Sequence, residues 1–316
     1  MSTQTVLRWG RSAYESDAHL AAERASAEAL GLRWLVRPDR APPAELAEAD
    51  ALVVTSGVRV DDAVLERLRG DLVLTTTSGY DHIDVGAAQR RSIAVGRCPL
   101  ARRDAVVESA LASMLSLLQA RPVLQERALA GVWARGELEA LAPRTLAGAR
   151  VVVVGLGVIG QRMVSVLDAL GAEVVGVDPV SHPANMRIEA MEAALVGADA
   201  VTLHCALTPS SRGLLDATAL DRLPRGAVVV NTARGRVLNL DAAIERLRAG
   251  HLGGLAVDVF PEEPFPRLAE LAATPNALLT PHGAGYSTRL GALVALEVTA
   301  TLRAWTTGSS IPHAVR

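Results

Sequence analysis

The residues with the clearest chemical purpose in this chain are a run of valines that ends in glycines. Val151-Val152-Val153-Val154-Gly155-Leu156-Gly157-Val158-Ile159-Gly160 reads as a buried strand, a G-x-G-x-x-G turn and the start of a helix. Gly155 permits the tight turn, Gly157 lets the backbone approach a pyrophosphate, and Gly160 lets the helix pack closely on the strand. Val158 and Ile159 lie at the helix N-terminus, which attracts phosphate charge. Asp178 follows 18 residues past Gly160, at the end of the next expected strand. A carboxylate there accepts hydrogen bonds from the adenosine ribose and repels a 2′-phosphate. No Arg follows it in Asp178-Pro179-Val180-Ser181, so the expected dinucleotide is NAD rather than NADP.

Three further polar groups stand just beyond apolar strands. Arg234 lies in Asn231-Thr232-Ala233-Arg234-Gly235, Glu263 in Asp258-Val259-Phe260-Pro261-Glu262-Glu263-Pro264, and His282 in Pro281-His282-Gly283-Ala284-Gly285. One such residue on a loop is usually solvated. Three at the carboxyl edge of one sheet, where ligands of open sheets bind, are candidate catalytic residues.

The elements that must position these groups alternate. Strands are expected at 5–9, 32–36, 51–55, 72–76 and 93–95, with helices at 17–30 and 61–68 between them. A second series of strands is expected at 151–154, 173–177, 200–204, 227–231, 254–257 and 277–280. Strand, helix, strand at this spacing implies βαβ units and parallel sheets. Between the series, 104–118 reads as a largely buried helix with Asp104 as its N-cap. A last helix is expected at 288–305. The expected fold class is therefore α/β, two doubly wound parallel-sheet domains. Residues 100–285 form a nucleotide domain inserted into a domain made of 1–99 and 286–316.

Composition narrows the function classes. The chain has 316 residues, half of them hydrophobic, with 32 basic and 34 acidic side chains. That balance offers no global basic field to nucleic acid or an anionic membrane. Every basic residue is Arg, so Schiff-base lysine chemistry and a P-loop are excluded. Cys98 and Cys205 alone make neither a disulfide scaffold nor a zinc site, and no metal is expected. With no apolar leader at the start and no membrane-length apolar run, the expectation is a cytoplasmic protein.

The pieces GLGVIG, Asp178, HCALTP, NTARG, DVFPEEP and PHGAG, in this order and spacing, resemble the D-isomer-specific 2-hydroxyacid dehydrogenase family along nearly the whole chain. The resemblance implies a Rossmann NAD-binding domain inserted in a flavodoxin-like substrate domain. It also implies hydride transfer between nicotinamide and a 2-hydroxyacid or 2-oxoacid, and a homodimer formed through the nucleotide domain. Arg234 would bind the substrate carboxylate, for which its planar fork is suited. His282 would exchange the proton, and Glu263 would pair with it, since a carboxylate neighbour favours an imidazolium. Asp258 would contact the carboxamide end of the nicotinamide, Thr232, Ala233 and Arg234 would line its ring, and Gly285 closes the His282 motif. His204, Cys205 and Thr208 would line the adenine side. Ser78 and Gly79, in Thr77-Ser78-Gly79-Tyr80-Asp81-His82, would hold the substrate carboxylate through backbone N–H groups.

Substrate identity is open at this stage. Arg97, Arg102 and Arg103 crowd one loop; either they are solvated, or one of them, such as Arg102, meets a second anion on the substrate. Phosphoglycerate and erythronate-4-phosphate dehydrogenases are similar in the core, so a phosphorylated acid is the alternative substrate class. A binding protein that senses the dinucleotide with little turnover is the rival from another class.

Overall fold

Strands buried on both faces read as continuous apolar runs, and the inner strands of both sheets of this protein are of this kind. The computed structural model describes residues 3–12 and 15–315. The chain divides into two units, Met1–Arg102 with Tyr286–Arg316, and Arg103–Gly285. Residues 1, 2, 13, 14 and 316, which belong to the first of the expected domains, lie outside the described residues.

In the first unit, β1 (Thr5–Trp9), β2 (Arg33–Arg37), β3 (Ala51–Val54), β4 (Leu72–Thr75) and β5 (Ala94–Arg97) form a parallel sheet in the order β2-β1-β3-β4-β5. The α-helix Leu290–Thr306 returns to this sheet from the far end of the chain. Its residues Leu290, Val294, Val298 and Leu302 recur every fourth position and bury against Val6, Ala51, Val53, Leu72 and Leu74. Each such burial contributes about 1.5–3 kcal/mol. The opposite face packs Leu7, Leu52, Val54 and Val73 on Leu46, Val64, Leu65 and Ala87.

The second unit holds β6 (Arg150–Val154), β7 (Glu173–Val177), β8 (Ala200–Leu203), β9 (Ala227–Asn231), β10 (Leu252–Val257) and β11 (Ala277–Leu279). They too are parallel, in the order β11-β10-β9-β8-β6-β7. An isolated bridge between Gly176 and Ile188 extends the sheet beyond β7. The strand order reverses between β6 and β8, the position where such sheets leave a crevice for ligands. The α/β fold class with two parallel, doubly wound sheets is the one the alternating pattern implies. No helix among the described residues is long and apolar enough to cross a membrane.

Two local readings differ. The helix expected from 104 begins at Leu100 and runs to Leu118, so Asp104 lies inside it rather than at its N-cap. Its carboxylate pairs instead with Arg103 and Arg162. The first-turn N–H groups of Leu100 and Ala101 donate to the Glu297 carboxylate, supplied by the Leu290–Thr306 helix. Any carboxylate that reaches a helix N-terminus can satisfy its orphan donors, so the cap need not come from nearby sequence. The helices Arg121–Leu129 and Leu138–Leu141 lack a periodic apolar face and bury no side chain fully, which is why no pattern announces them.

Gly160 ties this architecture to the site. A Cβ at Gly160 would lie 1.8 Å from the carbonyl oxygen of Gly155, so the Val158–Ala169 helix can approach β6 only because this position has no side chain. Gly160→Ala is expected to destabilise the protein by about 1–3 kcal/mol through overpacking. A thermal melt followed by circular dichroism checks this; an unchanged midpoint would mean that the helix shifts freely.

Candidate active site

The glycine turn leaves β6 with Gly155 at φ +92°, a left-handed conformation, and with its N–H donating to the Val177 carbonyl at 2.8 Å. A Cβ here would meet the Cys205 backbone nitrogen at 2.5 Å, so β6 and the turn after β8 close on each other through this glycine. Around Gly157, by contrast, no atom lies within 4 Å of where a Cβ would stand. The N–H groups of Val158 and Ile159 donate to nothing among the described residues. Open space in front of unengaged helix N–H groups is what a phosphate needs. Asp178 lies across this turn: one carboxylate oxygen accepts from Leu156 N–H at 2.7 Å, the other from Val180 and Ser181 N–H at 2.9 and 2.8 Å. Asp178 thus caps its own turn and also fixes the glycine turn beside it.

Two buried polar atoms here lack protein partners among the described residues, His204 Nδ1 and Thr232 Oγ1. The other nitrogen of His204 bonds Thr202 Oγ1 at 2.9 Å, and burial pushes the imidazole down to about 4, so it is neutral. Burial pushes the Cys205 thiol up to about 11, so it is no nucleophile at neutral pH. The Thr208 hydroxyl is held in a turn with Ser210 and Ser211. An open glycine turn, free helix donors and orphaned polar atoms fit a dinucleotide.

At the other strand ends, His282 Nδ1 donates to Glu263 Oε2 at 2.7 Å. Glu263 Oε1 accepts from the Phe260 N–H at 3.0 Å, so both carboxylate oxygens are engaged. An ionised carboxylate only accepts, so the proton on this bond belongs to Nδ1 and His282 Nε2 is left to exchange protons. His282 itself has φ +54°, unusual for a residue with a side chain. Asp258, 3% exposed, holds that conformation. Its carbonyl accepts from His282 N–H at 2.7 Å. Its Oδ1 accepts from Thr280 Oγ1 at 2.6 Å and Gly283 N–H at 2.8 Å, and both carboxylate oxygens accept from Ala284 N–H at 3.1 Å.

Arg234 leaves β9 through a turn built by Asn231, fully buried, whose amide accepts from Ala233 N–H at 3.0 Å and donates to the Arg234 carbonyl at 3.1 Å. A Cβ at Gly235 would fall 2.0 Å from the Phe260 carbonyl carbon, so the Arg234 turn lies against the 258–263 loop. Gly285, half-buried, ends this unit. Asn231 and Thr280 had no role assigned from sequence. Their signal was available: each is a polar residue closing an apolar strand.

In the first unit, the loop after β4 is held by its own polar atoms. Thr77 Oγ1 donates to the Gly79 carbonyl at 2.7 Å, His82 bonds Thr75 Oγ1 at 3.1 Å, and Arg102 donates to the Thr76 carbonyl at 2.6 Å. The N–H groups of Ser78 and Gly79 donate to nothing among the described residues. Asp258→Ala would leave three donors without their acceptor, of which the Ala284 N–H is buried and costs about 1–3 kcal/mol when unpaired. Chemical denaturation is expected to show a loss of about 1–3 kcal/mol; an unchanged stability would mean that the 280–284 loop is held by other groups.

The family model described as D-isomer specific 2-hydroxyacid dehydrogenase, NAD binding domain, matches residues 111–284. D-3-phosphoglycerate dehydrogenase of Mycobacterium leprae is 32% identical over 291 residues, covering 90% of this chain and 54% of that protein. The chain thus spans about half the length of such relatives. (S)-sulfolactate dehydrogenase of Chromohalobacter salexigens is 35% identical over 246 residues, 75% of this chain and 78% of that protein. Among solved structures, the TT0316 protein from Thermus thermophilus superposes with a TM-score of 0.79 at 29% identity, over 98% of this chain and 100% of the other. With the family model matching more than half of its length, this chain belongs to the D-isomer specific 2-hydroxyacid dehydrogenase family and carries that family's NAD-binding domain.

Proposed function

We propose that the protein reduces a 2-oxoacid to the 2-hydroxyacid with NADH, and runs the reverse reaction with NAD. The observation that carries this reading is the 2.7 Å bond between His282 Nδ1 and Glu263, which orients an imidazole whose other nitrogen is available for proton exchange. When bound, the nicotinamide supplies the hydride, or takes it up in the oxidation direction. In reduction, His282 Nε2–H gives its proton to the carbonyl oxygen while the carbonyl carbon gains the hydride, so the C=O becomes CH–OH. Glu263 balances the imidazolium that precedes this transfer. Arg234 takes the substrate carboxylate with its guanidinium and stays charged throughout. Ser78 and Gly79 offer backbone N–H groups to the same kind of anion.

On the cofactor side, Val158 and Ile159 N–H groups meet the pyrophosphate, Gly157 leaves room for it, and Asp178 accepts from the ribose. His204, Cys205 and Thr208 line the adenine side, while Thr232, Ala233 and Gly285 lie along the nicotinamide. Asp258 keeps His282 in place. The unit Arg103–Gly285 is then the cofactor domain, and the unit made of Met1–Arg102 and Tyr286–Arg316 the substrate domain. Two unpaired cysteines, Cys98 and Cys205, support a reducing compartment such as the cytoplasm.

His282→Ala is expected to lower turnover at least about a hundredfold, within the range of general acid–base catalysis, while NADH still binds. Stopped-flow NADH oxidation with glyoxylate, pyruvate, hydroxypyruvate and a branched 2-oxoacid, beside NADH fluorescence titration, checks this. Unchanged turnover would sink the assignment. We also propose a homodimer formed through the nucleotide domain, where Trp133 is 88% and Leu129 80% exposed. Trp133→Asp is expected to convert the dimer to monomer in size-exclusion chromatography with light scattering; a wild-type monomer would reject the dimer.

A further inference from the structure

Every polar group of Leu156, the residue between the first two glycines of the turn, is committed inside the second unit. Its side chain is fully buried, and its N–H donates to Asp178 Oδ2 at 2.7 Å. Its carbonyl oxygen accepts from Gln161 Nε2 at 2.8 Å and from Ser181 Oγ at 3.0 Å. Gln161 Nε2 also lies 3.4 Å from Ser181 Oγ, so the three groups close a small cluster across the glycine turn. Gln161 stands in the first turn of the Val158–Ala169 helix, and Ser181 in the turn after β7. Neither has a part in the reaction described above.

The direction of these bonds bears on the cofactor. The Leu156–Gly157 peptide is trans, so its C=O and N–H point in opposite directions. Donors that hold the Leu156 carbonyl on one side therefore hold the Gly157 N–H on the other. That N–H donates to nothing among the described residues, and no atom lies within 4 Å of where a Gly157 Cβ would stand. The preceding peptide is fixed too, because Asp178 takes the Leu156 N–H and the Gly155 carbonyl sits in the room that Gly160 leaves. Released from its donors, a peptide followed by glycine turns easily, since glycine has few barred conformations. We propose that Gln161 and Ser181 are positioning residues for the dinucleotide: together they fix the Leu156–Gly157 peptide plane, so that the Gly157 N–H joins those of Val158 and Ile159 in facing the pyrophosphate. Because the carbonyl has two donors, either one alone keeps it in place. Asp178 is held separately, by the Ser181 N–H at 2.8 Å, and that bond survives loss of the hydroxyl. The inference rests on the NAD-binding domain and not on which acid is reduced.

The test titrates the full chain with NADH by fluorescence, and with ADP-ribose and adenosine by competition, for wild type, Gln161→Met, Ser181→Ala and the double variant. Each single variant is expected to raise the NADH Kd by about threefold or less, because a second donor remains. The double variant is expected to raise it by about thirtyfold or more, beyond the product of the single effects. ADP-ribose, which carries the pyrophosphate, is expected to weaken in step with NADH, while adenosine, which lacks it, binds all four proteins alike. A double-variant effect equal to the product of the single ones overturns the proposal, since the two donors would then not share one task. An equal loss of adenosine affinity also overturns it, because the two side chains would then support the whole unit rather than aim one N–H. In the Gln161→Met background, Ser181→Thr restores a hydroxyl and is expected to bind NADH as Gln161→Met does; a loss as large as that of the double variant counts against the role of the hydroxyl. Thermal midpoints of the variants separate these outcomes from misfolding.

Discussion

The Asp258 carboxylate is buried at the end of β10 and is surrounded by donors from a single loop. Thr280, Gly283 and Ala284 all donate to it, and its carbonyl takes the N–H of His282. A buried carboxylate is tolerated only when its oxygens are satisfied, so the loop is bound to this one shape. That shape includes a positive φ at His282, which an isolated chain would avoid. The orientation of the imidazole toward Glu263 depends on it, and through that bond so does the choice of the nitrogen that exchanges protons. Asn231 does the corresponding work for Arg234 one strand away, again from a buried polar side chain at a strand end.

Much of this was legible in the sequence because the signals are local. Valine runs mark strands buried on both faces, and the strand ends at Trp9, Val154 and Asn231 fall where the apolar runs stop. The glycine turn and Asp178 are likewise read from spacing. What escaped has partners far away in sequence. The cap of the Leu100–Leu118 helix comes from Glu297, 197 residues on, and no pattern around Asp104 could reveal it. The commitment of Asp258 to the chain itself was hidden for the same reason. Its donors are 22 to 26 residues away, and a strand-end Asp looks the same whether it faces ligand or loop.

The all-arginine basic set gives the interior an unusual option. Arg8 is fully buried on β1, where its guanidinium meets both Glu15 and Glu23 and also the Gly10 carbonyl. A planar fork with five donors can satisfy two carboxylates at once, which a lysine ammonium does less well. Burial raises the Glu23 pKa and the Arg8 guanidinium opposes it, so removing Arg8 would leave two carboxylates buried without their counter-charge. The same residue type pairs with Asp104, Asp199 and Asp221 in the second unit, where the contacts are more exposed and individually weak.

The Leu290–Thr306 helix belongs to the sheet that the chain begins, although the whole of the second unit lies between them. On the ribosome, the five strands of the first unit therefore emerge without the helix that covers one of their faces. Residues 103–285 can complete their own core as soon as they leave the exit tunnel. Until Leu290, Val294, Val298 and Leu302 follow, Val6, Val53 and Leu74 lack part of their cover and have only residues such as Ala27, Leu32 and Trp34 beside them. The order of synthesis makes the cofactor-binding half the first to mature.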